Sequence, residues 1–435
     1  MTVPAQTQFH HPKAIPHWRR NLTGLLADMG GYGMAIGFIN PTTVIPVLIR
    51  QLSSSSLLVG LITTVWMGGW LLPQLPAGRW LSERPHKKPY LLWGAGLGRP
   101  AFLLLAVLFA LVRPSETVVL LLGLFIGLLV FRTTDSVAAV SWYDILSRAV
   151  PDNRRGRVIG TGQILAGVLA LVAALVVRWA LGPSGPVFPQ NFALLFALTF
   201  VGMVISWIGL AILVELPEPM ENGAAQPMNV IEHVRHVVQC DRAFRQVTLV
   251  RLLAGLEGLA LPFYVVHATR ELGLPTSFVG LAVAVQNIST IASSLALGAL
   301  SERRGSARIV QVSALASTIA PLTALALHTW RGIPSALLTA GYLLAFAAIN
   351  VVASSIVLGY LNYVIEIAPP GQRPAYLGLT NTISGLLVVL PVIGGAVLQT
   401  TSYTMLFAIA ATGTILGWIM AWDLPSVLAS ADATC

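Results

Sequence analysis

Six ionisable residues stand inside stretches that are otherwise apolar: Asp28, Arg99, Arg132, Asp135, Arg251 and Glu257. A charge at the centre of a lipid-spanning helix costs roughly 2.5–3.5 kcal/mol on insertion scales unless it is paired or hydrated. Groups of this kind suit reversible proton binding and the holding of a polar solute. Glu257, close to Gly255 and Gly258, has no basic residue three or four positions away, so any partner is expected from another helix. A carboxyl at that depth can bind and release protons near neutral pH, or remain protonated within a helix contact. Arg132 and Asp135 are i, i+3 neighbours that can neutralise each other as a self-contained pair or act on a cavity. Asp28, eight residues beyond Arg20, reads either as a hydrated or Arg-paired group near the membrane interface or as a coupling group. Glu257, Asp135, Arg132 and Asp28 are therefore the candidates for proton coupling.

Neutral polar residues supply candidates for a cavity wall: Asn40, Gln74, Gln163, Gln286, Asn287, Asn350 and Asn381. Each taken singly is equally compatible with hydrogen bonding between helices. Trp66 and Trp70 stand at i, i+4 and suit either an aromatic wall for an apolar solute or packing at the membrane interface. A further set sits in the basic clusters: Gly78, Glu83 and Arg84; Asp144 and Arg155; Gly298, Glu302 and Arg303; Glu366 and Arg373. Opposite charges there can latch helix ends in one state and part in another. The simpler reading is that Arg and Lys merely fix topology. His233, His236 and Cys240 share a face of one amphipathic stretch, yet no fourth ligand accompanies them, so a solvated face is expected and no metal.

The elements that must hold these residues follow from composition. Of 435 residues, 55% are hydrophobic and 10% charged, with a mean hydropathy of +0.77. Soluble domains carry about 25% charged residues, so the chain belongs in a bilayer. Residues 51–78, 158–177, 272–301, 332–365 and 374–422 contain no charge at all. A span needs about 20 apolar residues, and helices are the only open-chain solution in lipid. Turn and charge signals predict twelve spans, near 21–49, 56–80, 88–112, 116–147, 154–181, 190–216, 245–269, 276–301, 307–329, 333–366, 374–398 and 403–423. Pro41, Pro46, Pro73, Pro262 and Pro391 are expected to kink or open their helices. Gly33 and Gly37 offer a face for close helix approach.

The net charge of +9 would suit nucleic acid, but its placement argues otherwise. With an inside N-terminus, Lys and Arg concentrate in the loops of that side. Only Arg50, Arg113, Arg178, Arg270 and Arg331 fall in loops of the other side. This is the positive-inside pattern, which makes both termini cytoplasmic. The first apolar run is too long for a cleavable signal. Cys240 and Cys435 map to the cytoplasmic side, against a structural disulfide.

The chain also repeats itself. Arg50-Gln51-Leu52 with Val59-Gly60-Leu61 returns as Arg270-Glu271-Leu272 with Val279-Gly280-Leu281. Leu81-Ser82-Glu83-Arg84 returns as Leu300-Ser301-Glu302-Arg303, and Pro151, Arg155, Gly160 and Gly167 return as Pro369, Arg373, Gly378 and Gly385. Duplicated halves in so apolar a chain point to two bundles rocking around a shared site. The expected organisation is a tail at 1–20, a six-helix bundle at 21–216, a linker with an amphipathic helix at 217–244, a second bundle at 245–423 and a tail at 424–435.

Twelve spans in two related halves resemble the major facilitator superfamily, in the manner of its uncharacterised bacterial members. The superfamily's loop signature, G-x-x-x-D-R-x-G-R-K-K, is recognisable in Gly298-Ala-Leu-Ser-Glu302-Arg303-Arg-Gly305, with Glu for Asp. A looser copy runs from Gly78 through Glu83 and Arg84 to Lys87 and Lys88, with Pro85 where Gly is usual. The drug-antiporter pattern of span 4 is met by Arg132 and its small residues, with Asp135 where Gln is expected. The antiporter Gly-Pro pattern of span 5 is absent; a fragment, Pro391-Val-Ile-Gly394-Gly395, stands in span 11 instead.

The resemblance implies an all-α membrane fold of two pseudo-symmetric six-helix bundles, with spans 1, 2, 4, 5, 7, 8, 10 and 11 bordering the cleft. It implies a monomeric secondary active transporter in a bacterial-type cytoplasmic membrane, moving a small organic solute by alternating access with proton coupling. Export of amphipathic compounds is one expectation, and facilitated or proton-linked uptake of sugar-like nutrients the alternative. A non-transporting solute receptor is the reading from another class. No phosphate-binding loop, His-Glu-x-x-His or Gly-x-Ser-x-Gly pattern occurs, so neither enzymatic activity nor a cofactor is expected.

Overall fold

A computed structural model describes residues 17–82, 84–150, 152–215, 241–330, 332–369 and 372–425. Most of the expected linker, with His233, His236 and Cys240, lies outside the described residues, as do most of both tails. Among the described residues the fold is entirely helical.

In the first bundle, span 1 comprises Trp18–Phe38 and Val44–Leu52, and span 2 comprises Ser56–Leu71 and Gln74–Ser82. Span 3 is Lys88–Gly98 with Pro100–Leu111, span 4 Thr117–Ala149, span 5 Asp152–Ala180 and span 6 Gln190–Ile212. In the second, span 7 runs from Arg242–Ala254 through an overwound turn, Gly255–Leu259, to Phe263–Val266 and a wide turn, His267–Glu271. Spans 8 and 9 share Phe278–Thr329, broken at Gly305, whose φ of 74° is a left-handed conformation that glycine adopts without strain. Span 10 is Ser335–Ser355, the wide turn Ile356–Leu361 and Asn362–Ile367. Span 11 is Arg373–Ser384, the overwound Gly385–Val389 and Leu390–Thr400, and span 12 is Tyr403–Ala421.

Pro41, Pro73 and Pro262 stand at breaks as expected, whereas Pro46 lies inside the continuous helix Val44–Leu52, and span 1 is more broken than its sequence suggested. Instead of one helix over 21–49, the chain opens at 39–43, where Asn40 Oδ1 accepts the backbone N–H of Thr42 at 3.0 Å and its hydroxyl at 2.8 Å. That local turn, next to Pro41, competes with the helical ladder. Pro73 separates the two parts of span 2, and Pro262 follows the overwound turn of span 7.

Lipid gives helices no hydrophobic reason to associate, so close contact depends on small residues. Span 1 carries two such faces. A Cβ at Gly33 or Gly37 would stand 2.4 Å from Ala166 Cβ or 2.8 Å from Ala173 Cβ, both on span 5. A Cβ at Gly24 or Gly31 would stand 2.7 Å from the carbonyl oxygens of Gly209 or Gly202, both on span 6.

The bundles meet through spans 2 and 11 and through spans 5 and 8. We call the side on which span 1 begins and span 12 ends the near side. On the far side one apolar cluster runs through both bundles, joining Phe102, Phe131 and Phe196 to Phe263, Phe278 and Phe346. On the near side there are two separate clusters, one around Leu91, Ile145 and Leu210, the other around Phe244, Tyr363 and Tyr376.

Gly33→Val is expected to destabilise the protein by roughly 1–3 kcal/mol through overpacking of the span 1–5 contact. Gly298→Ala, where nothing lies within 4 Å of a built Cβ, is expected to change stability by less than about 1 kcal/mol. Melting temperatures of the purified variants in detergent check both.

Candidate functional site

Span 1 places Asp28 and Tyr32 one turn apart, and span 4 places Arg132, Asp135 and Trp142 along one inward stripe, as helical spacing requires. Together with Arg99 of span 3 they line a cavity of about 350 Å³, whose wall also includes Met29, Trp70, Leu91, Tyr143 and Leu210. Asp28, Arg99, Arg132 and Asp135 are all buried. The cavity lies among spans of the first bundle alone.

Each charge is held by several partners. Arg132 donates from Nε to the Trp66 carbonyl at 2.9 Å, and from Nη1 to Tyr32 Oη and to Asp135 Oδ2, both at 3.2 Å. Its guanidinium lies 4.5 Å above the Trp66 ring and 5.6 Å from that of Trp70. Tyr32 in turn donates to Asp135 Oδ2 at 2.9 Å. The i, i+3 pair is thus made, but Tyr32 and two tryptophans complete it. Trp66 serves as a platform for Arg132 and is itself buried.

Asp28 departs from its expected setting near the interface. Arg20 points elsewhere, donating to the Ile212 carbonyl at 2.8 Å. Asp28 instead accepts from Trp142 Nε1 at 2.8 Å and from the Ser206 hydroxyl, with Arg99 Nη2 at 3.8 Å. Arg99 also donates to the Met203 carbonyl at 3.1 Å. Sequence reasoning missed Tyr32, Trp142 and Ser206. The i, i+4 relation of Asp28 to Tyr32 and the i, i+7 relation of Asp135 to Trp142 were the available signals for the first two.

In the second bundle Glu257 is 6% exposed, with Oε1 buried and lacking a hydrogen-bond partner. Its partner was expected from another helix. The cation within electrostatic reach is Arg251 of the same span. The overwound turn at Gly255–Leu259 winds about 20° further per residue than an α-helix and carries Glu257 back towards the face of Arg251. Arg251 itself stacks 5.0 Å from the Tyr360 ring centre.

The remaining candidates separate by position. Asn40 donates to Gln286 Oε1 at 2.9 Å, and Gln286 donates to Thr42 Oγ1 at 2.9 Å, which joins the bundles on the far side. There too Gln399 accepts from the Leu57 backbone at 3.3 Å, and Thr276 donates to the Leu181 carbonyl at 2.6 Å. Asn287 and Asn350 cap carbonyls of their own helices, and Thr290 donates to Asn350 Oδ1 at 3.1 Å. Gln74 Nε2 is buried without a partner. Gln163 and Asn381, repeat counterparts on spans 5 and 11, are exposed.

Among the described residues, the near-side pairs seen lie within one bundle or the other. Asp144 pairs with Lys87 at 2.9 Å and with Arg148 inside the first bundle, and Glu366 accepts from Ser306 inside the second. Arg84, Glu302, Arg303 and Arg373 are exposed, Arg155 is half-buried, and Glu83 lies outside the described residues. The four repeat-related glycines Gly78, Gly160, Gly298 and Gly378 all face open space. On the far side the same four spans are jammed: a Cβ at Gly60 would stand 2.0 Å from the Pro391 carbonyl oxygen, and one at Gly280 2.4 Å from Arg178 Cβ.

Removing one member of a buried pair leaves an uncompensated charge. Asp28→Leu is therefore expected to destabilise the protein by about 3–5 kcal/mol, and Asp28→Leu with Arg99→Leu to recover most of that loss. Thermal unfolding of the two single variants and the double variant checks the coupling.

No protein-family model and no curated protein matches the sequence. Solved structures do match the fold along nearly its whole length. A D-xylose–proton symporter aligns with a TM-score of 0.66 at 14% identity, over 96% of this chain and 99% of that one. A peptide transporter of the POT family aligns with a TM-score of 0.66 at 12% identity, over 98% and 99%. A bacterial homologue of the iron transporter ferroportin, in an inward-facing state, aligns with a TM-score of 0.65 at 16% identity, over 94% and 98%. With twelve spans in two bundles joined through spans 2, 5, 8 and 11, the chain is a multi-pass membrane protein of the major facilitator fold.

Proposed function

We propose that this protein is a secondary active transporter that carries a small organic solute across a bacterial-type cytoplasmic membrane by alternating access, coupled to protons. One observation carries the reading. The bundles are sealed to each other on the far side, while the same helices present glycines to open space on the near side. That asymmetry is what one of two alternating states requires. The positive-inside pattern makes the near side cytoplasmic, so the state is inward-facing. The matched structures are transporters of chemically unrelated solutes, which supports carriage without selecting a solute.

The cavity chemistry favours an amphipathic solute. Two carboxylates and two guanidinium groups balance within it, so it has no formal charge to offer a simple ion when all four are ionised. Trp70, Trp142, Tyr32 and Tyr143 surround that balanced cluster with amphipathic rings, matching a solute that has an apolar body and one polar end. Glu257, with one oxygen unpaired and a distant cation, is the coupling carboxyl. Asp135 and Asp28 set the charge of the cavity. The near-side residues Glu302, Arg303, Glu366 and Arg373, with Asp144 and Arg155, form the latch of the outward-facing state, in which spans 2 and 11 close at Gly78 and Gly378. One chain contains both bundles, so a monomer suffices.

In everted vesicles given fluorescent amphipathic dyes, one-proton exchange is expected to support up to about a tenfold dye gradient per pH unit. Glu257→Gln is expected to abolish the response to the imposed gradient, and an undiminished response would remove Glu257 from coupling. With Cys240 and Cys435 replaced, Gly78→Cys with Gly378→Cys is expected to cross-link during turnover and stop dye movement. Movement that persists despite complete cross-linking would exclude closure at this pair.

A further inference from the structure

A second group of titratable side chains lies in the second bundle, away from the cavity. His267 of span 7 is fully buried and engaged at both ring nitrogens. Its Nδ1 meets the Tyr342 hydroxyl of span 10, and its Nε2 lies 2.8 Å from Nδ1 of His328, at the far end of span 9. His328 is half-buried, and the following residues, Thr329 and Trp330, are exposed. Tyr403 and Phe407 of span 12 pack on the His267 ring at 4.6 and 5.1 Å. The other charges near this group are Glu271, at the end of span 7, and Arg50, on the far part of span 1, both within electrostatic reach of Tyr403.

An imidazole hydrogen-bonded at both nitrogens can take a proton at one and release another at the other. The row His328, His267, Tyr342 has this form and starts at the far surface. It leads on to Tyr264, seven residues beyond Glu257 on the same span. Tyr264 is fully buried, stacks on Phe407 at 5.6 Å, and lies within electrostatic reach of both Glu257 and Tyr342. Its hydroxyl has no hydrogen-bond partner. A buried, unsatisfied hydroxyl is destabilising and invites an explanation beyond packing.

We propose that His328, His267, Tyr342 and Tyr264 form a proton-uptake chain from the far side of the membrane to Glu257, an inference that rests on the proton-coupled reading above. Glu257 is nearly inaccessible and does not line the cavity of the first bundle, so a route of its own is assigned to it. A proton arriving on His328 displaces one from its Nδ1 to His267 Nε2. His267 passes its Nδ1 proton to the Tyr342 oxygen, whose own proton moves on through Tyr264 to the carboxylate of Glu257. Each residue ends with the proton count it began with, apart from Glu257, which gains one, and both imidazoles end in the opposite tautomer. Reorientation of the hydroxyls, together with a ring flip that returns each imidazole to its first tautomer, then resets the chain. In the near-side-open state the unpartnered Tyr264 hydroxyl is a gap, which insulates the two sides of the membrane from each other. All four residues belong to the second bundle, so the chain need not be rebuilt when the bundles rock.

Tyr264→Phe is the decisive variant, because it removes a single oxygen that bonds nothing in this structure. If Tyr264 only packs, stability holds or rises and proton loading is unaffected. The measurement is made on sealed proteoliposomes whose carriers face far side out. It follows the infrared band of protonated Glu257, identified by its loss in Glu257→Gln, after the outside pH is dropped. Slowing of at least about tenfold in Tyr264→Phe and in His328→Phe, with the Tyr264→Phe melting temperature unchanged or raised, is the expected result. Wild-type loading rates in Tyr264→Phe would overturn the chain and leave Glu257 coupling intact. A wild-type band that responds to pH on neither side would overturn proton coupling itself, and the chain with it.

Discussion

Every buried charge in this protein must find its counter-charge inside protein, because hydrocarbon supplies neither water nor ions to do so. That constraint organises the first bundle. Asp28 draws spans 3, 4 and 6 to span 1 through Arg99, Trp142 and Ser206. Arg132 ties span 4 to spans 1 and 2 through Tyr32 and the Trp66 carbonyl. The glycine contacts of span 1 with spans 5 and 6 make these bonds geometrically reachable. Packing and electrostatics here are one design: small residues bring backbones close, and proximity lets a few polar groups neutralise one another. The second bundle meets the constraint less completely, since Glu257 keeps one oxygen unpaired beside a single electrostatic partner.

The two ends of the molecule differ for a related reason. On the far side, Asn40, Gln286, Thr276 and Gln399 exchange hydrogen bonds across the bundles, around a common apolar cluster. On the near side the hydrogen bonds and ion pairs seen among the described residues stay within one bundle or the other. Asp144 pairs with Lys87 and Arg148 in the first bundle, and Glu366 with Ser306 in the second. Pairs held inside one bundle are not broken when the bundle ends separate.

Much of the architecture was legible because it is set by composition and local spacing. Charge-free runs located the spans, proline marked the breaks in spans 1, 2 and 7, and internal repetition announced the two halves. The Arg132–Asp135 pair was readable because i, i+3 contacts depend on helix geometry alone. What was not legible needed three dimensions. Asp28 was assigned to the membrane interface because the nearest cation in sequence is Arg20, whereas the fold brings Arg99 to it from two spans away. The setting of Glu257 was misjudged because ideal helical spacing was assumed across a segment that winds more tightly. The His267 group gave no local signal, since its members come from three different spans.

The shared apolar cluster of the far side carries a thermodynamic consequence. Opening that side would hydrate aromatic and aliphatic surface that is now dry, and hydrating apolar surface raises heat capacity. Parting the bundles there should therefore have a curved temperature dependence, with cold weakening the far-side contact relative to warmth. At low temperature the bundles would then be held together less firmly on the far side than at high temperature.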